Sequence, residues 1–362
     1  MTVNLTEEFF PKSELLLLTH GDISVTAFRY KSGVCALKVQ NTKGYFILLP
    51  FKGQQLWDIV FGGKSLKMKG TVPEPLDTTD YLRTYGGFMY HCGISAFGVP
   101  QQDDTHPLHG ETPNIAYDNA FITCSEDENG KYVILGGALD YNIAFTRHYK
   151  FSPSYKLYEN GSIIKVGIEL SNLRSEDMEY MYLCHINFAP ENGAKLIYSA
   201  KRDSEHIKVH KRIGAGVEEN KAKALMGYME TLGKNPGIMD EVGAPGQLYD
   251  PEICFAINYD SDENGRAYTM QYKKGEGACF VSHPVDALPV GVRWISRTAS
   301  EDAMGMILPA TAEHLGYRNA ERNGQIKVLK GNESTSFYLE VGYLDDKDAE
   351  KYERKIDKIL GL

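Results

Sequence analysis

Asn-Gly pairs at Asn129-Gly130, Asn160-Gly161 and Asn264-Gly265 each separate two runs in which apolar and polar residues alternate. Alternation at period two sends successive side chains to opposite faces of a strand, and Asn-Gly supplies the positive φ that tight hairpin turns require. The pattern predicts hairpins over residues 125–135, 155–170 and 253–272. Residues 22–50 read as further short strands: Ile23, Val25 and Ala27 alternate with polar neighbours, as do Cys35, Leu37 and Val39, with turns at Lys31-Ser32-Gly33 and Asn41-Thr42-Lys43-Gly44. Two stretches carry helical spacing instead, residues 217–232 and the charged C-terminal segment 345–362, where Tyr352, Ile356, Ile359 and Leu360 share a face. The chain is predicted to be an antiparallel, mainly β protein with a few short helices.

Composition agrees with strands built on aromatic residues, with 23 Tyr and 15 Phe beside 35 Gly for turns. At 362 residues, without a linker-like stretch or a repeat, the expectation is a single domain spanning 1–362. The net charge of −9 has no basic stripe to set against it, which argues against nucleic acid and membrane partners. Six scattered cysteines without a CxxC pair read as reduced thiols, and the N-terminus has no basic segment followed by a long apolar run. A cytoplasmic location is expected.

Two long connections rich in Pro and Gly, residues 62–86 and 97–119, exceed the usual loop length and are expected to shape a site. Histidines gather near them: His91 in Tyr90-His91-Cys92-Gly93, then His106-Pro107-Leu108-His109-Gly110-Glu111. A metal site is one reading of His91, His106 and His109, although Pro107 breaks the helical presentation that zinc enzymes use. The other reading is a metal-free ligand site, with Gly110 allowing a ligand close to the backbone beside His109.

Leu108-His109-Gly110 resembles a segment of the aldose 1-epimerase (galactose mutarotase) superfamily. Tyr182-Leu183-Cys184-His185-Ile186-Asn187-Phe188 is similar to the His-x-Asn-Phe segment of its DUF4432 branch, and Leu288-Pro289…Trp294 to that branch's "LP…W" strand. Gly86-Gly87-Phe88 and Phe145-Thr146-Arg147 fit as well, in order, between about Trp57 and Tyr343. The resemblance implies an all-β galactose mutarotase-like supersandwich and a small-molecule carbohydrate ligand, with no metal and no organic cofactor.

The same resemblance implies roles. His185 would be the general acid of anomer interconversion, close to its ordinary pKa. His109, Asn187, Arg147, His91, Trp294 and Glu252 would contact the sugar, Asn187 sharing a strand face with His185. The general base is the weak position. The family places a glutamate before the proline where this chain has Leu308-Pro309, leaving Glu313 or Glu111 as replacements. In a continuing strand Glu313 would lie about 16–17 Å past Leu308, so only a chain reversal could return it. Three functions follow: a mutarotase or epimerase, a carbohydrate-binding protein that has lost its base, or a metal-dependent sugar isomerase or lyase.

Overall fold

A computed structural model describes residues 1–214 and 216–362. Two antiparallel sheets hold the strands. The nine-stranded sheet runs Thr2–Leu5, Asn119–Asp127, Gly130–Ile143, Arg147–Tyr158, Ile163–Asn172, Ser334–Leu344, Gly277–Pro284, Arg266–Lys273, Lys195–Tyr198. The thirteen-stranded sheet follows the path Ile207–His210, Ile253–Asn258, Val290–Arg297, Asp302–Ala310, Met178–Ile186, Met89–Ile94, Gln55–Phe61, Gly44–Leu49, Cys35–Gln40, Ile23–Arg29, Leu15–His20, with two short strands beside it. One apolar core joins the sheets: Val133, Leu135, Phe151 and Tyr155 from the first pack in the same cluster as Leu37, Ile94 and Tyr182 from the second. The fold is thus the expected large β-sandwich.

The Asn-Gly turns have two outcomes. At 127–130 and 158–163 they close true hairpins, Gly130 pairing with Asp127 at φ +114°, and Tyr149–Lys156 pairing with Asn172–Lys165. At Asn264-Gly265 the expected hairpin is absent. Strand Ile253–Asn258 belongs to the larger sheet and Arg266–Lys273 to the smaller, so this turn carries the chain between layers. The Asp262 side chain closes it locally, accepting from the backbone N–H of Asn264 and Arg266 and from the Tyr268 hydroxyl. Alternation marks both strands correctly, but the turn signal is local and says nothing of which sheet each strand joins.

Both helical segments form. Glu219–Lys234 buries Leu225, Met229 and Leu232, and Asp346–Leu360 is capped by Asp345, which accepts from the Asp348 N–H. No described helix is long and apolar enough to cross a membrane. All six cysteines are unpaired.

Candidate functional site

A cleft of about 390 Å³ lies on the face of the larger sheet turned away from the shared core. Strand register decides which residues reach it. In Met178–Ile186 and Met89–Ile94, His185 pairs with Tyr90 and Cys184 with His91. Paired residues point to the same face and neighbours to opposite faces, so Leu183 and His185 reach the cleft while Tyr182, Cys184 and His91 enter the core. The adjacent strands contribute His210, Cys254, Val292, Trp294 and Leu308, and the loops contribute Tyr81, Leu82, Tyr85, Leu108, His109, Arg212, His314 and Leu315. Both long connections therefore border the cleft. Glu252 is the one carboxylate among its lining residues, and its Oε2 accepts from Trp294 Nε1 at 2.6 Å.

His185 is 5 % exposed and held in a defined state. Asn187 donates from Nδ2 to the Gly87 carbonyl, so its Oδ1 must be the atom facing His185. That oxygen also accepts from the Tyr85 hydroxyl at 3.0 Å. An amide oxygen only accepts, so His185 Nδ1 carries the proton and donates to it at 2.8 Å. Nε2 is then an unprotonated lone pair with no partner among the described residues. Burial pushes the His185 pKa down to about 4, with the Asn187 contact opposing. The expectation of a histidine near its ordinary pKa is corrected: at neutral pH this imidazole accepts a proton rather than holding a spare one.

Two glycines make this arrangement possible. Tyr90 Oη accepts from the N–H groups of Gly86 and Gly87, at 2.9 and 2.6 Å, and so pins the turn that presents Tyr85. A Cβ on Gly86 would sit 2.7 Å from the Val72 carbonyl oxygen, and one on Gly87 would sit 3.0 Å from Trp57 and from Tyr90 Oη. His109 adopts φ +61°, a left-handed conformation uncommon for a residue with a side chain. Its ring packs against Tyr81 at 4.9 Å and edge-on to His185 at 5.1 Å, and burial drives its pKa well down. Gly110 follows at φ +85°, and a Cβ there would lie 2.2 Å from the Ala96 carbonyl oxygen. The chain's own backbone thus fills the side of Gly110 on which a Cβ would stand.

Several expected contacts move. His91 is fully buried between the sheets, with Nδ1 and Nε2 each 2.7 Å from a tyrosine hydroxyl, of Tyr182 and Tyr155. Arg147 begins a strand of the other sheet, donates to the Glu179 carbonyl at 3.2 Å, and does not line the cleft. Glu111 accepts on Oε1 from Ile94 N–H, Ser95 N–H and Oγ–H, and Tyr149 Oη–H, holding the loop behind His109 rather than facing His185. Asn187 orients His185 and does not line the cleft itself. His91, His106 and His109 do not converge, and no described group of three His, Cys, Asp or Glu side chains has a metal-holding arrangement.

The chain does reverse after Pro309, but Glu313 stops short of the cleft. It takes Lys208 at 2.9 Å and lies 3.3 Å from His210 Nε2. His210 does line the cleft, its ring 4.8 Å from that of His314. Burial lowers the His210 pKa, Glu313 opposing and Lys208 assisting, and burial takes His314 to about 3. Leu308 faces the cleft where the resemblance calls for a carboxylate. Sequence reasoning missed His210, Arg212, His314, Tyr81 and Tyr85. His210 sits at a polar position of the alternating strand Ile207–His210, where an imidazole reads as solvent-facing.

A family model described as a domain of unknown function, DUF4432, matches residues 31–343. The chain belongs to that family. No match is found among the curated proteins. Among solved structures, a candidate aldose 1-epimerase from Klebsiella pneumoniae aligns over 99 % of this chain and 95 % of its own, with a TM-score of 0.80 and 18 % identity. A galactose mutarotase-like protein from Clostridium acetobutylicum covers 90 % and 100 %, at 0.60 and 15 %. A candidate mutarotase from Salmonella typhimurium covers 92 % and 97 %, at 0.55 and 12 %. At these identities the likeness shows that this member of the DUF4432 family has a galactose mutarotase-like fold.

Proposed function

We propose that the cleft binds the ring of an aldose or a modified sugar and exchanges its anomers, with His185 as the proton acceptor. The observation that carries this reading is the fixed His185 tautomer, whose Nε2 lone pair has no partner among the described residues and borders a cleft walled by Tyr81, Tyr85 and Trp294. Aromatic walls suit the C–H faces of a pyranose, and imidazoles suit its hydroxyls. Opening the ring requires removal of the C1 hydroxyl proton and delivery of a proton to the ring oxygen; after rotation at C1 the steps reverse. His185 Nε2 takes the first proton. His210 supplies the second: its Nδ1 has no partner among the described residues, and Glu313 beside Nε2 favours the imidazolium against burial. Glu313 thus acts through His210 as a positioning residue, and Leu308 needs no carboxylate. No step calls for a metal or an organic cofactor.

A second reading, a sugar-binding protein without catalysis, is favoured by Leu308 itself. One experiment separates the two. Trp294 borders the cleft and the only other tryptophan, Trp57, is buried in a different cluster, so sugar-dependent fluorescence reports the site. Sugars that bind are then followed by two-dimensional exchange NMR. Binding with anomer exchange above the buffer rate supports the enzyme; binding without it leaves the second reading; no binding by any aldose refutes both.

A further inference from the structure

A second hollow, of about 570 Å³, adjoins the cleft. Tyr81, Leu82 and Leu108 line both, and Leu82, 66 % exposed, stands on their shared border. The two long connections that border the cleft also build this hollow, through residues 79–82 and 107–115, and Tyr141 enters it from the nine-stranded sheet. Its surface is open to a ligand, since Leu108, Glu111, Ile115 and Tyr141 are half-buried rather than buried. Tyr149, itself fully buried, holds two of these in place. It pairs with Tyr141 across neighbouring strands, their rings stacked at 4.9 Å, and its hydroxyl donates to Glu111 Oε1. Four donors converge on Oε1, which leaves Glu111 Oε2 without a partner among the described residues; the Tyr141 hydroxyl has none either.

The chemistry of this lining selects its occupant. Among the described residues no Lys, Arg or His lines the hollow, while Asp80 and Glu111 both do, so a phosphate or carboxylate would meet like charge there. Hydroxyls would find acceptors in the two carboxylates, and C–H faces would rest on Tyr141, Leu82 and Ile115. We propose that the ligand is a reducing disaccharide, with the reacting ring in the cleft and a second, uncharged sugar ring in this hollow, the link between them passing Leu82. Anomer exchange needs a free C1 hydroxyl on the first ring, so the second is attached through another of its oxygens. The proposal rests on the sugar-site reading and narrows its substrate class.

Calorimetric titration tests it by comparing reducing disaccharides with the monosaccharide at their reducing end: lactose, maltose, cellobiose, melibiose and gentiobiose against glucose, mannobiose against mannose, galactobiose against galactose. At least one disaccharide is expected to bind roughly 10- to 100-fold more tightly than its monosaccharide, the return from covering one more ring with apolar surface and hydroxyl acceptors. If none does, the proposal is overturned while the sugar site stands. Binding of no sugar at all would overturn the sugar-site reading and this proposal with it. An octanoyl ester of glucose is the control for any apolar group: a gain in affinity for the ester alone would give the hollow to an acyl chain and overturn the second ring. Tyr141→Ala should lower disaccharide affinity more than monosaccharide affinity, with Tyr141→Phe, which keeps the ring, retaining most of the difference and melting curves confirming the fold. Leu82→Ser, at an exposed position, makes the same comparison should the Ala variant not fold. A disaccharide preference that survives both Tyr141→Ala and Leu82→Ser would place the second ring elsewhere and overturn the assignment of this hollow.

Discussion

Asn187→Asp should raise the His185 pKa from far below neutrality towards the neutral range. In the wild type an uncharged amide oxygen stands 2.8 Å from Nδ1, and burial holds the pKa at about 4. The variant places a carboxylate at that point, still accepting from Nδ1 and from the Tyr85 hydroxyl. With about 4 Å between charge centres and an effective dielectric near 20, the attraction to an imidazolium is about 4 kcal/mol, or about 3 pKa units. Its own burial takes back part of this. The His185 pKa should therefore rise towards about 7 at most. Asp also loses the donor to Gly87 O, which costs roughly 1–3 kcal/mol of stability. The assay is an NMR titration of the imidazole Cε1–H, with the His185 signal identified by its absence in His185→Gln. A wild-type His185 that titrates near 6.5, or a variant whose His185 stays near 4, would refute the argument from the Asn187 amide.

The rate constant kcat/KM for anomer exchange should be bell-shaped in pH, since His185 must be unprotonated and His210 protonated: it falls below about pH 4, and falls again as pH rises through the His210 value, which burial sets below 6.5. Stability should drop as pH falls from 6.5 towards 4, because His91, His283 and His314 have pKa values pushed to about 3 by burial and stay neutral when folded, while the unfolded chain protonates. Each contributes up to roughly 4 kcal/mol that is present above pH 6.5 and lost progressively below it, measurable by urea unfolding at stepped pH. His91→Leu should lower stability by roughly 1–3 kcal/mol, by orphaning the Tyr182 hydroxyl while the Tyr155 hydroxyl keeps the Gln54 carbonyl, and should leave sugar affinity unchanged in the fluorescence titration.

The layers of this fold are legible in the sequence because strand alternation is a local property. Ile23, Val25 and Ala27 bury one face of a strand as their period requires, and the turns at 127–130 and 158–163 close the hairpins that their Asn-Gly pairs announce. Sheet membership is not local, and Asn264-Gly265 carries the same signal into a crossover. The candidate site divides along the same line. His185 and Asn187 share a strand face by period alone, and their contact follows. His91 reads as a site residue from its neighbours in sequence, but its pairing with Cys184 turns it into the core, and only the register between strands settles that. Arg147 and Arg212 cannot be told apart without knowing which sheet edge each adjoins. Glu313 reaches the site region only through a reversal and an ion pair with Lys208, neither of which has a signature in the chain.

Proton transfer at His185 is the centre of the account, and anomer exchange in His185→Gln tests it most directly. With a sugar that the wild type binds and exchanges, two-dimensional exchange NMR on the variant should show the enzyme-dependent rate reduced roughly 100- to 10,000-fold, while calorimetry finds affinity changed far less. A His185→Gln protein that exchanges anomers as fast as the wild type would contradict the account.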